Sequence, residues 1–157
     1  MDLFWIDDTL AIATRPRGGD WLVDEMDDLK AAGVSTLVSC LTGPEEFELG
    51  LTSEAFVARE AGLAFVAVPI EDRSTPSRAP LEAVAGQINA DRRSGRRVAI
   101  HCRQGLGRAP LVAAAALVRQ GVSPAHAWSR IEEARGQSVP ETNEQRDCLS
   151  AFAVPAS

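Results

Sequence analysis

Within RRVAIHCRQGLGRAP, residues 96–110, the thiol of Cys102 stands six residues before Arg108, and Gly105 and Gly107 lie between them. An Ala-rich segment of helical character follows at once. A thiol is a poor nucleophile until it ionises, and a free cysteine does so only near a pH of about 8.5. A helix N-terminus supplies partial positive charge and unpaired N–H groups. A glycine-rich turn exposes more of them, because glycine adopts positive φ and brings backbone close to a ligand. Arg108 adds a permanent cation with a fork of donors. All three favour a thiolate, and they equally favour a tetrahedral oxyanion beside it. In this reading Gly105 and Gly107 form the turn, and Arg103, Gln104 and Leu106 contribute mainly backbone N–H groups. Arg108 grips two oxygens and Cys102 points at the central atom. The chemistry implied is displacement at phosphorus through a cysteinyl-phosphate. The leaving alkoxide then needs a proton donor and the intermediate needs a base to activate water, and one carboxyl group can serve both in turn. Asp72, in PIEDRSTP, is the candidate, with Glu71 its adjacent rival.

These groups meet only if the intervening elements bring them together. LFWI and TLAIA read as two short strands around a turn, and Asp20 as the cap of a helix that stops at Gly33. VSTLVSCL (34–41), LAFVAVPI (63–70) and RRVAI (96–100) read as buried strands. A short helical turn lies in TGPEEFELG, and Ser53 opens a helix ending at Gly62. LEAVAGQINADRRSG and APLVAAAALVRQG are helices, the second with Pro110 in its first turn. Ser123 caps the next helix, and Thr142 or Asn143 caps the last. Strands alternating with helices predict an α/β fold of three layers, a largely parallel sheet flanked by helices. In such a sheet ligands bind beyond the carboxyl ends of the strands. Three strand ends then share one rim: Ser39–Cys40, Glu71–Asp72 and His101–Cys102. Arg92, Arg93, Arg96 and Arg97 precede their strand and belong to the opposite end, as a solvated face.

The chain has 157 residues, 45% apolar and 24% charged, which suits one globular domain over 1–157 with a real core. No window approaches the ~20 apolar residues of a membrane span, so no membrane partner is expected. The acidic start MDLFWIDDTL does not resemble a signal peptide. Three cysteines without framework spacing fit a reducing, cytoplasmic setting. A net charge of −6 argues against general nucleic-acid binding.

HCRQGLGR is similar to the His-Cys-x5-Arg signature of cysteine-dependent protein tyrosine phosphatases. VPIEDRSTP resembles the general-acid loop of their dual-specificity branch, and the match runs from VSTLVSCL to SVPETNEQRDCL. The resemblance implies a compact phosphatase fold and a phosphomonoesterase without metal or cofactor. Its partners would be a phosphorylated protein or peptide and inorganic phosphate. It also implies Cys102 as nucleophile, Arg108 as phosphate clamp, Asp72 as acid and base, and His101 as the residue that orients the loop and tunes the thiol. Some relatives keep a resolving cysteine where Cys40 falls, which makes Cys40 either a redox partner of Cys102 or a buried strand residue.

One position departs from the pattern. The family usually has Ser or Thr after the arginine, and this chain has Ala109. That hydroxyl helps the thiolate leave, so slower breakdown of the intermediate is expected. A phosphate-binding module with little turnover is one alternative. A sulfur-transfer or arsenate-reducing enzyme is a second, and it would not need Asp72. A phosphoinositide phosphatase ranks low because the loop has no lysine. Several further residues keep two readings. Glu45 or Glu46 braces Arg108 or lies elsewhere. Gln145 orders water near the loop or sits on a helix surface. Arg73 and Arg78 meet the anion or solvent. Cys148, His126, Trp5, Trp21 and Trp128 are read as structural.

Overall fold

The computed structural model describes residues 1–155. Strands β1 (Leu3–Trp5), β2 (Leu10–Ala13), β3 (Thr36–Ser39), β4 (Ala64–Ala67) and β5 (Val98–His101) form one sheet in the order β1-β2-β5-β3-β4. β1 is antiparallel to β2, and the other pairings are parallel. Ile100 of β5 is in register with both Ile12 and Val38, at the centre of the sheet. The described residues form seven α-helices: α1 (Leu22–Ala31), α2 (Gly43–Glu48), α3 (Glu54–Glu60), α4 (Arg78–Arg93), α5 (Arg108–Arg119), α6 (Pro124–Arg135) and α7 (Asn143–Ala153). Apolar residues of α1 and α3 pack on one face of the sheet, and those of α4 to α7 on the other. The predicted three-layer, largely parallel α/β fold is therefore present. Among the described residues no helix is long and apolar enough to cross a membrane.

The centre of the second layer is α5. Every residue from Arg108 to Leu117 is buried, because this helix touches the sheet and is flanked by α4, α6 and α7. A helix enclosed on all sides carries apolar residues all round, and the run of alanines lets its neighbours approach closely. The N-terminus of α5 is thereby fixed against the carboxyl end of β5.

The structure corrects three expectations. LAFVAVPI was expected as a buried strand, but β4 is the edge of the sheet and is only partly covered. Apolar composition reports the one face it packs and not its place in the order. Asp20 lies in a short 3-10 turn, Gly19–Trp21, and Trp21 rather than Asp20 is the N-cap of α1. Arg92 is not a solvated residue. Its guanidinium bonds Asp7 Oδ2 at 2.5 Å and Thr9 Oγ1 at 3.0 Å, tying α4 to the β1–β2 turn. Arg97 stacks over Trp5, while Arg93 and Arg96 are exposed at the same end.

Candidate active site

Residues 102–107 form a tight loop from β5 into α5, and four consecutive carbonyls of that loop are held from outside. The Cys102 carbonyl faces His101 Nδ1 at 3.2 Å, and the Arg103 carbonyl accepts from Arg15 Nη1 at 2.9 Å. Arg135, from the last turn of α6, donates Nη2 to the Gln104 carbonyl and Nε to the Gly105 carbonyl, at 3.1 and 3.2 Å. In a trans peptide the N–H points opposite to the C=O. Four captured carbonyls therefore turn the N–H groups of residues 103–106 away from those donors, toward the concave side. The Gly105 N–H donates to Cys102 Sγ at 3.3 Å, which marks that side. Gly105 has φ +75°, a conformation that a side chain would strain. Gly107 is needed for space: a Cβ there would lie 2.7 Å from Glu141 Oε1 and 2.8 Å from Gln145 Nε2.

Arg108, the first residue of α5, sends its side chain back beneath the loop and is 1% exposed. A buried cation needs partners. Nη1 donates to Glu45 Oε1 and to the Ile70 carbonyl, both at 2.7 Å, and Nη2 to Glu45 Oε2 at 2.9 Å. Nη2 also reaches Asp72 Oδ1 at 3.1 Å. Nε is buried and has no acceptor among the described residues. The guanidinium is thus saturated at its Nη atoms and keeps one unused donor, Nε. Burial opposes the charge of Arg108, but the Glu45 carboxylate outweighs it and holds the group protonated beyond its ordinary range. Burial likewise opposes the charge of Glu45, yet Arg108 and the Thr42 N–H hold its carboxyl down at about 2.

Glu45 reaches Arg108 because Thr42 starts α2 with a capping box. Glu45 Oε1 accepts the Thr42 N–H at 3.1 Å, and both carboxylate oxygens take Arg108. The same device opens α7, where Gln145 Oε1 accepts the Thr142 N–H at 3.2 Å. Gln145 is fully buried, and its Nε2 donates to the Ser74 carbonyl at 3.3 Å. The helix-surface reading of Gln145 is thereby corrected: it wedges between Gly107 and the Asp72 loop.

The three strand ends predicted to share a rim do so. Cys40 N–H donates to the His101 carbonyl at 2.9 Å, and the Ile70 N–H to the Cys40 carbonyl at 3.1 Å. Asp72, not Glu71, is brought onto Arg108; Glu71 is exposed, and its carbonyl closes a turn with the Ser74 N–H. Arg73 within that turn has φ +61° and pairs with Glu141 at 3.3 Å. Arg78 faces neither anion nor bulk solvent alone, since it donates to the carbonyls of Ala151, Phe152 and Val154 at the end of α7. Arg103 pairs with Glu48 at 3.0 Å, Gln104 is exposed, and Leu106 is half-buried at the loop edge. Glu46 braces nothing on this side. Burial first, then the charge of Glu54, pushes its carboxyl up, with His101 pulling the other way.

Cys102 is 3% exposed and Cys40 is fully buried, and both are free thiols in the same apolar cluster. They stand one step beyond the last register pair of the adjacent strands, Ser39 with His101. Neighbouring strands lie about 4.8 Å apart, inside the ~7 Å between Cα atoms that a disulfide tolerates. Burial, then the neighbouring Cys102, pushes the Cys40 thiol well up, against the pull of Arg108.

Three participants escaped the sequence reading, Arg15 among them. Arg135 is 30 residues from the nearer of the carbonyls it holds, and no local signal marks it. Glu54 sits under His101 with Oε2 2.5 Å from Nε2, on the face of the sheet away from α5. Glu45 and Gln145 did carry a signal, the T-x-x-E of 42–45 and the T-x-x-Q of 142–145.

A family model described as "Polymorphic toxin system, DSP-PTPase phosphatase" matches residues 12–122. The chain is 25% identical over 130 residues to cyclin-dependent kinase inhibitor 3 of Rattus norvegicus and 26% identical to that of Homo sapiens. In both cases 82% of this chain is covered, and it spans only 61% of the relative's length. The active form of Tk-PTP superposes with a TM-score of 0.82 at 27% identity, covering 96% of this chain and 95% of that one. A kinase associated phosphatase, KAP, with its catalytic-site cysteine substituted by serine gives a TM-score of 0.84. At 22% identity, with 94% and 89% of the two chains covered, this likeness is one of fold.

The Glu45–Arg108 pair makes the fold sensitive to acid. Folding depresses Glu45 from the ordinary 4.5 to about 2. Its contribution, on the order of 3 kcal/mol, is complete above pH ~5 and is lost as pH falls through about 2. Urea unfolding should therefore show Glu45→Gln less stable than wild type at pH 7. The difference should narrow steadily towards pH 2, and a constant gap would contradict the assignment.

Proposed function

The chain belongs to the DSP-PTPase phosphatase family of polymorphic toxin systems, and on that premise we propose that it is a phosphomonoesterase acting on phosphorylated proteins, at phosphotyrosine and at phosphoserine or phosphothreonine. The observation that carries this reading is the convergence on one rim of Cys102 Sγ, the inward N–H groups, the free Arg108 Nε and the Asp72 carboxyl. The Cys102 thiolate attacks phosphorus and the bond to the leaving oxygen breaks, while Asp72 gives that oxygen its proton. The Asp72 carboxylate then takes a proton from water. That water attacks phosphorus, the P–S bond breaks, and phosphate and thiolate are released. Arg108 and the N–H groups of residues 103–106 hold the three non-bridging oxygens in both steps. His101, through the Cys102 carbonyl, orients the loop. Asp72 stands 3.1 Å from Arg108 Nη2, within reach of a phosphate held there.

Beside the anion loop runs a groove of about 480 Å³ lined in part by Arg15, Arg17 and Arg103. It supports a peptide with acidic flanks as the substrate, in preference to a small phosphate ester. A thiolate nucleophile works in a reducing compartment, so the cytoplasmic setting belongs to the same proposal. Cys40 is proposed as its redox partner. Peroxide oxidises Cys102 to the sulfenic acid, the Cys40 sulfur attacks it, and water leaves as the disulfide forms.

A second reading, a phosphate-binding module with little turnover, is favoured by one observation. Ala109 is fully buried beside the loop and offers no hydroxyl to the departing thiolate.

Four outcomes are expected. In EDTA the protein should hydrolyse aryl and peptide phosphates, and Cys102→Ser should abolish turnover while keeping phosphate binding. In the same assay Asp72→Ala should cost about 10²-fold or more on slow-leaving esters and far less on activated ones. Turnover by Cys102→Ser refutes the mechanism, and an unchanged Asp72→Ala rate favours the sulfur-transfer or arsenate-reducing class. Ala109→Ser should speed breakdown of the intermediate by about tenfold, the size of one charge-assisted hydrogen bond. A rapid-quench burst that shrinks in this variant would show it, and no burst in either protein points to the binding module. Peroxide followed by peptide mapping should yield a 40–102 disulfide; sulfinic acid at 102 without that link ends the Cys40 assignment.

A further inference from the structure

We infer that Glu54 is a positioning residue for phosphoryl transfer: through His101 it holds the Cys102 carbonyl, and so keeps the first N–H of the anion loop turned toward the bound oxyanion. The inference rests on the functional reading above and adds a residue from the opposite face of the sheet.

The argument starts from hydrogen-bond valence. Both side chains are buried, His101 with 0% and Glu54 with 1% of its surface exposed. His101 Nδ1 lies 3.2 Å from the Cys102 carbonyl, and a carbonyl only accepts, so Nδ1 carries a hydrogen. Nε2 lies 2.5 Å from Glu54 Oε2. One further proton sits between those two atoms, on the ring or on the carboxyl, and in either case Nδ1–H is preserved. Which nitrogen of an imidazole bears the proton is set by the bond its other nitrogen makes. Without a partner at Nε2, the ring is free to carry its single hydrogen there. It would then present a lone pair to the Cys102 carbonyl, and two acceptors would face each other. The peptide between Cys102 and Arg103 would lose its restraint, and the Arg103 N–H would lose its direction.

Stability alone gives little reason for an acid at this position. Glu54 Oε1 is buried and has no hydrogen-bond partner among the described residues. Glu46 adds a second carboxyl nearby, whose charge Glu54 disfavours. A buried, half-satisfied carboxylate is costly, and an apolar side chain at the start of α3 would avoid the cost. What Glu54 does that an apolar residue does not is fix the ring. The carbonyls of residues 103–105 are taken by Arg15 and Arg135, so Glu54 with His101 completes a set of outside restraints on residues 102–105.

The test compares Glu54→Leu with Glu54→Gln. A glutamine amide donates to Nε2 and leaves Nδ1–H in place, so it should rescue what leucine loses. Inorganic phosphate affinity, measured by calorimetry, should fall at least about tenfold in Glu54→Leu and stay within about threefold of wild type in Glu54→Gln. kcat/KM on an aryl phosphate should follow the same order. The chain has two histidines, so nitrogen-15 NMR reads His101 directly. Wild type and Glu54→Gln should show a hydrogen on His101 Nδ1, and Glu54→Leu should lose it. A folded Glu54→Leu protein with wild-type phosphate affinity would overturn the inference. So would a wild-type His101 without hydrogen on Nδ1, which decides the matter even where Glu54→Leu fails to fold. Phosphate affinity and ring protonation are read without turnover, so a wild-type protein that binds phosphate and hydrolyses nothing fails the functional reading alone.

Discussion

A guanidinium removed from water is the constraint around which the rest is arranged. Arg108 is buried, and leaving such a cation without partners would cost several kcal/mol. Its Nη groups are satisfied by Glu45, the Ile70 carbonyl and Asp72, which come from the segments after β3 and β4. Each of those segments is placed by parallel register with its neighbour, so a slip of one residue in β3 or β4 would strip the cation of a partner. The saturation is directional as well. It uses the Nη atoms and leaves Nε as the one unpaired donor of the group, among the described residues.

The anion loop obeys a complementary rule. Arg108 is held by acceptors, whereas the loop is held by donors on its outer side, from His101, Arg15 and Arg135. Because C=O and N–H oppose each other across a peptide, restraining the acceptors aims the donors. Helix polarity and glycine freedom then act on N–H groups that already face one way. The two capping boxes serve the same end from opposite sides. Thr42 and Thr142 each tie back the N3 side chain of a helix, and in both cases that side chain ends against the loop or its arginine. A local device for ending a helix has become a means of placing Glu45 and Gln145.

What was legible in the sequence followed from short-range rules. The βα alternation, the strand ends on one rim, and Cys102, Arg108 and Asp72 all come from patterns a few residues long, and the structure brings these groups together. Cys40 beside Cys102 follows from the pairing of β3 with β5. The illegible part depends on strand order and long-range approach. β4 reads as a core strand because apolar alternation does not say which strand has a single neighbour. Arg92 reads as a surface charge and Arg135 goes unread, since what an arginine meets across the fold leaves no local trace. Glu54 reads only as the first turn of a helix, although its partner is 47 residues away.

The restraints on residues 102–105 have a consequence for how the molecule fails when heated. They come from the segment after β2, from α3 by way of β5, and from the end of α6, on both layers of the fold. Such a loop is not a separate cooperative unit that opens while the scaffold persists. Its melting is tied to the melting of the sheet and of both helical layers, and the shape of the loop should vanish in one step with the core instead of fraying ahead of it.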